Sequence, residues 1–150
     1  MDYSQITNQL FIGTTPSPRD YDRLRDLGVH LVINMRFWQG RPPARGNPPL
    51  GYLRLRTFDS PLLLIPIEAL MRGTHAALEV MGSGGKVFAH CSRGRHRSVA
   101  MAAAILIAGG LAPERAMALI KERRAVADPE AHHIRSRILE FARQWKKATS

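Results

Sequence analysis

The sequence predicts an α/β fold of one domain, and three observations carry that reading. Short β-branched, apolar runs alternate along the chain with segments whose apolar residues recur at helical spacing. No segment repeats with a period of 20–50 residues, which excludes solenoids and propellers. At 150 residues, 45% hydrophobic and 23% charged, the chain has the size and composition of an ordinary globular unit with its own core. No linker divides it, so one domain over residues 1–150 is expected.

The elements follow in order. Residues 10–12 (Leu-Phe-Ile) read as a short strand after the Thr7-Asn8 turn. Ser17-Pro18 is the expected N-cap and first residue of a helix that Gly28 closes. Residues 29–35, β-branched and apolar, form a buried strand. Residues 36–49 hold four prolines and two glycines and must be a loop; its length suits a functional rim better than a simple turn. Residues 52–58 alternate polar and apolar, the pattern of a strand with one exposed face. An amphipathic helix over 67–81 ends at Gly82-Ser83-Gly84-Gly85, and residues 86–90 form the next strand. Residues 98–108 are almost wholly apolar, so that helix should be buried on most sides before Gly109-Gly110 stops it. Pro113 opens a helix to about residue 124, and Asp128-Pro129 is expected to open a last, basic helix ending near Lys147.

Composition narrows the class further. The longest apolar run, residues 99–108, has half the ~20 residues needed to cross a bilayer. The start Met-Asp-Tyr-Ser-Gln lacks a basic region before an apolar stretch, so a cytoplasmic protein without a secretory signal is expected. A single cysteine excludes an internal disulfide framework, and no Cys/His spacing supports a structural zinc site. The net charge is +10, and 18 of the 22 basic residues are arginine, whose planar fork matches phosphate. This charge suits a nucleic-acid binder, a membrane-surface protein or an enzyme for phosphorylated substrates equally well, and also a merely basic surface.

The segment His90-Cys91-Ser92-Arg93-Gly94-Arg95-His96-Arg97-Ser98 decides between these. It lies between a buried strand and a buried helix, so its backbone must turn sharply. The six amides of Ser92, Arg93, Gly94, Arg95, His96 and Arg97 can then converge on one anion, with the helix dipole aimed at the same centre. Gly94 falls mid-turn, where a side chain is hardest to place. Arg97, six positions after Cys91, can grip two phosphate oxygens at once. The same fields lower the pKa of Cys91 from ~8.5 into the ~3.5–7.5 range and make it a thiolate nucleophile. The hydroxyl of Ser98 can donate to that sulfur, and His90 is expected to brace the loop rather than act as an acid. A lone cysteine is more commonly a small buried hydrophobe. Here His before it, Gly at +3, Arg at +6 and Ser at +7 outweigh that reading.

HCSRGRHRS resembles the HCxxGxxR(S/T) signature of cysteine-dependent protein tyrosine phosphatases, and the compact length points to their dual-specificity branch. The resemblance covers roughly residues 8–145, including LRDLGVHLVINM and the two helices after the signature. It implies a central, mostly parallel sheet flanked by helices, a phosphocysteine intermediate, and an aspartate about thirty residues upstream as general acid and base. Asp59, 32 residues before Cys91, is the only acid between Asp26 and Glu68 and takes that role, although an Asp before Ser-Pro is also a common turn residue. Nothing in residues 1–50 resembles the tyrosine-bearing recognition loop of the phosphotyrosine-specific members. The resemblance therefore implies a shallow pocket, open to phosphoserine, phosphothreonine or non-protein phosphates.

Arg93, Arg95 and His96 are expected on the rim of the cradle, either touching a second anionic group or pointing into solvent. Within the proline-rich loop, Arg36, Arg41 and Arg45 are candidates for a second wall. Trp38 is expected to stack on a substrate ring or pack on the sheet. No metal or cofactor is required, because the amides and Arg97 supply the positive charge. The leading reading is thus a hydrolase of phosphoproteins or other phosphomonoesters; an alternative substrate is a polyanion such as a phosphoinositide, a nucleotide or an RNA 5′-phosphate. Two alternatives belong to other classes: a domain that binds phosphate or nucleic acid without turnover, and a rhodanese-like sulfurtransferase.

Overall fold

Ten elements form along the chain in a computed structural model describing residues 1–150: β1 (Tyr3–Thr7), β2 (Leu10–Thr14), α1 (Asp20–Asp26), β3 (Val29–Arg36), β4 (Gly51–Thr57), α2 (Ile67–Gly82), β5 (Lys86–Cys91), α3 (Arg97–Ala108), α4 (Pro113–Arg123) and α5 (His132–Thr149). The five strands make one sheet in the order β1-β2-β5-β3-β4. Only β1 runs antiparallel to its neighbour; β2, β5, β3 and β4 are parallel. The expected α/β architecture, with a mostly parallel sheet between helices, is the observed one.

Strand β5 lies at the centre with both faces covered, and its side chains alternate between two cores as the period of two requires. Val87, Ala89 and Cys91 join the larger core, built with α2, α3, α4 and α5. Phe88 points the other way, into a smaller cluster with Tyr21 and Leu24 of α1 and Phe11, Val29 and Val32. Helix α3 is the hub of the larger core: Ser98 through Ile107 are all buried. Its alanines at 100, 102, 103 and 104 let neighbouring helices approach closely. Gly73 of α2 serves the same end, since a Cβ there would lie 2.4 Å from the sulfur of Met101. The parallel register sets Thr14 of β2 beside Cys91, and Asn34 of β3 beside His90. The carboxyl ends of three strands therefore meet where a parallel sheet presents its ligand crevice.

Three expectations about elements need correction. Strand β1 was not anticipated, because Tyr-Ser-Gln-Ile-Thr buries only Ile6 and carries no apolar alternation. Ser17-Pro18 does not cap α1 directly. The Ser17 carbonyl accepts from the Asp20 N–H at 3.0 Å and its own N–H donates to the Asp20 carboxylate at 2.8 Å, a turn that delays the helix to Asp20. Asp128-Pro129 likewise precedes α5 by four residues: the Asp128 carbonyl accepts from the Ala131 N–H at 3.4 Å, a turn that delays the helix to His132.

Candidate active site

Three features shape the backbone between β5 and α3. Gly94 has φ +62°, a left-handed conformation that a side chain resists, and a Cβ there would stand 2.7 Å from the Arg124 guanidinium. Arg124 fastens the back of the loop: its Nε donates to the Gly94 carbonyl at 2.8 Å and one Nη to the Arg93 carbonyl at 2.9 Å. It is 3% exposed and also pairs with Asp2 at 3.0 Å. On the other side, the Thr15 hydroxyl donates to the Cys91 carbonyl at 3.2 Å and accepts from Arg36 at 3.1 Å. Arg124→Ala strands two inward carbonyls and should cost about 2–4 kcal/mol. A fall in Tm of roughly 5–15 °C in a calorimetric scan is the expected readout.

Cys91 stands at the floor of a 270 Å³ cavity lined by Asp59, Ser92, Arg93, Arg95, His96 and Arg97. Its Sγ lies 3.2 Å from the Ser98 hydroxyl. Burial pushes the thiol up, but the Ser98 hydroxyl, the Ser98 and Arg95 amides and the Arg97 charge together hold it below its ordinary value. His90 sits directly behind and is fully buried, with its pKa pushed down to about 3, first by burial and then by Arg36 and Arg54. It is therefore neutral, and neither ring nitrogen has a hydrogen-bond partner. His90 packs on Phe88, with ring centres 5.8 Å apart, and Arg124 and Thr15 add the hydrogen bonds that fasten the loop.

Arg97 is aimed by its own hydrogen bonds. One Nη donates to the Thr57 carbonyl at 2.9 Å and to the Met35 carbonyl at 3.4 Å, so the ends of β3 and β4 hold one prong of the fork. Its Nε is buried and has no hydrogen-bond partner.

Asp59 follows Phe58, whose ring stacks on Phe37 with centres 4.7 Å apart. Its carboxylate accepts from two histidines, His133 Nε2 on Oδ1 at 2.6 Å and His96 Nδ1 on Oδ2 at 2.9 Å. Its burial works upward, but these hydrogen bonds outweigh it and hold the carboxyl below its usual value. The other nitrogen of His96 meets Asp128 at 3.2 Å, and Asp128 also reaches Arg95 at 3.5 Å. The Asp128 amide donates to the Arg95 carbonyl at 3.0 Å.

Comparison with known proteins gives the family. Human dual specificity phosphatase 28 is 31% identical over 128 residues, covering 83% of this chain and 69% of that protein. The chain belongs to the dual-specificity phosphatase family. The mouse homologue of that relative is likewise 31% identical, over 85% of this chain and 76% of its own length. Among solved structures, human DUSP28 matches with a TM-score of 0.85 at 25% identity, covering 97% of this chain and 96% of that one. PTPMT1 in complex with PI(5)P matches with a TM-score of 0.85 at 26% identity, over 99% of both chains. No family model matches the chain. Membership makes it a cysteine-dependent phosphatase, a hydrolase of phosphomonoesters.

Within this dual-specificity phosphatase, the residues singled out from sequence converge on one cavity, with changes at the rim. Of the three expected rim cations, Arg93 alone has no ion pair; Arg95 is paired with Asp128, and His96 is held between two carboxylates. Arg36 turns inward to Thr15 instead of forming a second wall. Trp38 neither packs on the sheet nor reaches the cavity lining. It is 67% exposed, with its edge on Phe37 at 4.6 Å. Sequence reasoning missed His133, Asp128, Arg124 and Thr15. Only Asp128 carried a signal, as the residue before a proline, and that signal pointed to a helix cap.

Proposed function

We propose that the protein hydrolyses phosphomonoesters through a phosphocysteine on Cys91. The Cys91 thiolate attacks phosphorus while the bond to the leaving oxygen breaks, and Asp59 gives its proton to that oxygen. Water then attacks the phosphocysteine, Asp59 takes a proton from it, and the Ser98 hydroxyl stabilises the departing thiolate. Arg97 and the amides of residues 92–97 neutralise the equatorial oxygens throughout. The observation that carries this reading is the thiol at the cavity floor, held low by Ser98 at 3.2 Å, beside an arginine with an unpartnered buried Nε.

Leaving-group dependence tests it. Asp59→Asn should slow alkyl and phenyl phosphates by roughly 10²–10⁴-fold, and para-nitrophenyl phosphate far less, because only poor leaving groups need the proton. Equal slowing of both would remove Asp59 as the acid. The pH profile gives a second check, measured with EDTA present. Activity needs Cys91 ionised and Asp59 protonated, and both groups are held low, so the optimum should be acidic. His133→Ala removes a donor that stabilises the Asp59 carboxylate, so its pKa rises and the basic limb should move to higher pH. A basic limb that stays in place would mean His133 does not govern Asp59.

Exposed Arg93 on the rim favours a second reading, in which the substrate carries a further anionic group. The structural relative holding PI(5)P supports the same class. A polyanion preference that shrinks with rising salt, and is lost in Arg93→Ala, is the expected signature.

A further inference from the structure

We propose that Asp59, His96 and His133 form a zinc-type divalent cation site at the mouth of the catalytic cavity, and that its occupation switches the enzyme off by removing Asp59 from proton transfer. The binding half stands on geometry alone. The inhibitory half rests on the reading of Asp59 as proton donor.

One ligand atom from each of the three residues lies within 4.8 Å of the other two. Zinc bonds of ~2.0–2.1 Å place tetrahedral ligands ~3.3 Å apart. The two histidine nitrogens stand 2.9 and 2.6 Å from different oxygens of Asp59, so an ion enters by spreading these contacts and drawing one atom of each residue, already within 4.8 Å of the others, to that spacing. The three residues come from separate, anchored places: the loop after β4, the N-cap of α3 and the first turn of α5. The site is reachable, since both imidazoles are 17% exposed and the carboxylate 37%.

His96 also has the outer partner that metal-binding histidines usually have. Its Nε2 is held by the Asp128 carboxylate at 3.2 Å, which fixes the ring with Nδ1 facing Asp59 and His133. Two histidines and a carboxylate are a ligand set that leaves a position open. Asp59 and His96 both line the cavity, so the cluster borders the place where substrate would sit. On binding, the ion replaces the protons that join the two rings to Asp59, and these leave to solvent. The nitrogen donors favour zinc over magnesium or calcium. No redox change is involved.

The test is a titration with zinc chloride of metal-stripped protein, read by competition with a chromophoric chelator. Cys91→Ser serves as the parent to remove the thiolate as a rival ligand. One ion per chain is expected in both native and Cys91→Ser proteins, unaffected by excess magnesium. Adding His133→Ala to Cys91→Ser should weaken binding more than tenfold, and adding Asp128→Asn about tenfold or more. His133→Gln repeats the first change with a side chain that keeps bulk and polarity, and zinc should raise the Tm of the parent but of neither His133 variant. Cobalt in the Cys91→Ser protein should give visible d–d bands without thiolate charge transfer. Binding that vanishes in Cys91→Ser and survives in the native-background His133 variants would put the ion on the thiolate and overturn the site. Absence of binding in the native protein overturns it equally. For the switch, zinc should inhibit native hydrolysis of phenyl phosphate and EDTA should restore it. Tight binding with unchanged turnover would overturn the inhibitory half. The leaving-group test of Asp59 is a separate measurement: its failure would remove the inhibitory half and leave the binding half standing.

Discussion

Cys91→Ser should abolish turnover while leaving phosphate binding in place. The site is arranged to favour a negative charge on sulfur: the Ser98 hydroxyl at 3.2 Å, the Ser98 and Arg95 amides, and Arg97 all stabilise the thiolate against the penalty of burial. An alcohol in the same position is barely ionised at neutral pH, and those contacts are too few to bring it into range. The loss in kcat should be on the order of 10⁴-fold or more, the scale seen when a nucleophile is removed from a catalytic unit. Inorganic phosphate should still bind in a calorimeter, because the Arg97 Nε and the loop amides are untouched. Residual activity above about one per cent in a clean preparation would remove Cys91 as nucleophile.

Arg97→Lys should fail nearly as badly although the charge is kept. The arginine spends one Nη on the Thr57 and Met35 carbonyls, which leaves its remaining donors for phosphate in a fixed plane. A lysine has one ammonium and cannot hold the strand ends and two phosphate oxygens at once. A drop in kcat of roughly 10²–10³-fold is expected, comparable to removing one oxyanion donor. Thermal melts run alongside separate this from unfolding, because the carbonyl contacts are also lost. A variant with near-native kcat would show that a point charge suffices and that the loop amides carry the recognition.

Much of this site was legible because its parts are neighbours in the chain. The strand, the turn and the helix that make the phosphate cradle occupy residues 86–108 without interruption, and each announces itself locally. A short strand with an apolar centre, Val87-Phe88-Ala89, leads in, Gly94 permits the left-handed turn, and a ten-residue apolar run sets the buried helix. Fixed spacing then carried Arg97 and Ser98 to the thiol. Asp59 was found by its spacing from the signature and by being the sole acid in its stretch of chain.

Tertiary structure alone decided what surrounds that cradle. His133 meets Asp59 across 74 residues, and Arg124 fastens the loop across 30. Asp128 places its carboxylate on His96 and Arg95, 32 and 33 residues away, and the helix its sequence position suggested begins only at His132. Strand β1 exists because β2 offers it an open edge, not because its own residues demand a sheet. The physical reason is common to all four. Periodicity, capping and turn chemistry are set by bonded neighbours within a few residues, and the sequence displays them. A long-range ion pair or an edge strand is specified only when the packed sheet and helices bring distant groups within about 3 Å, the reach of a hydrogen bond.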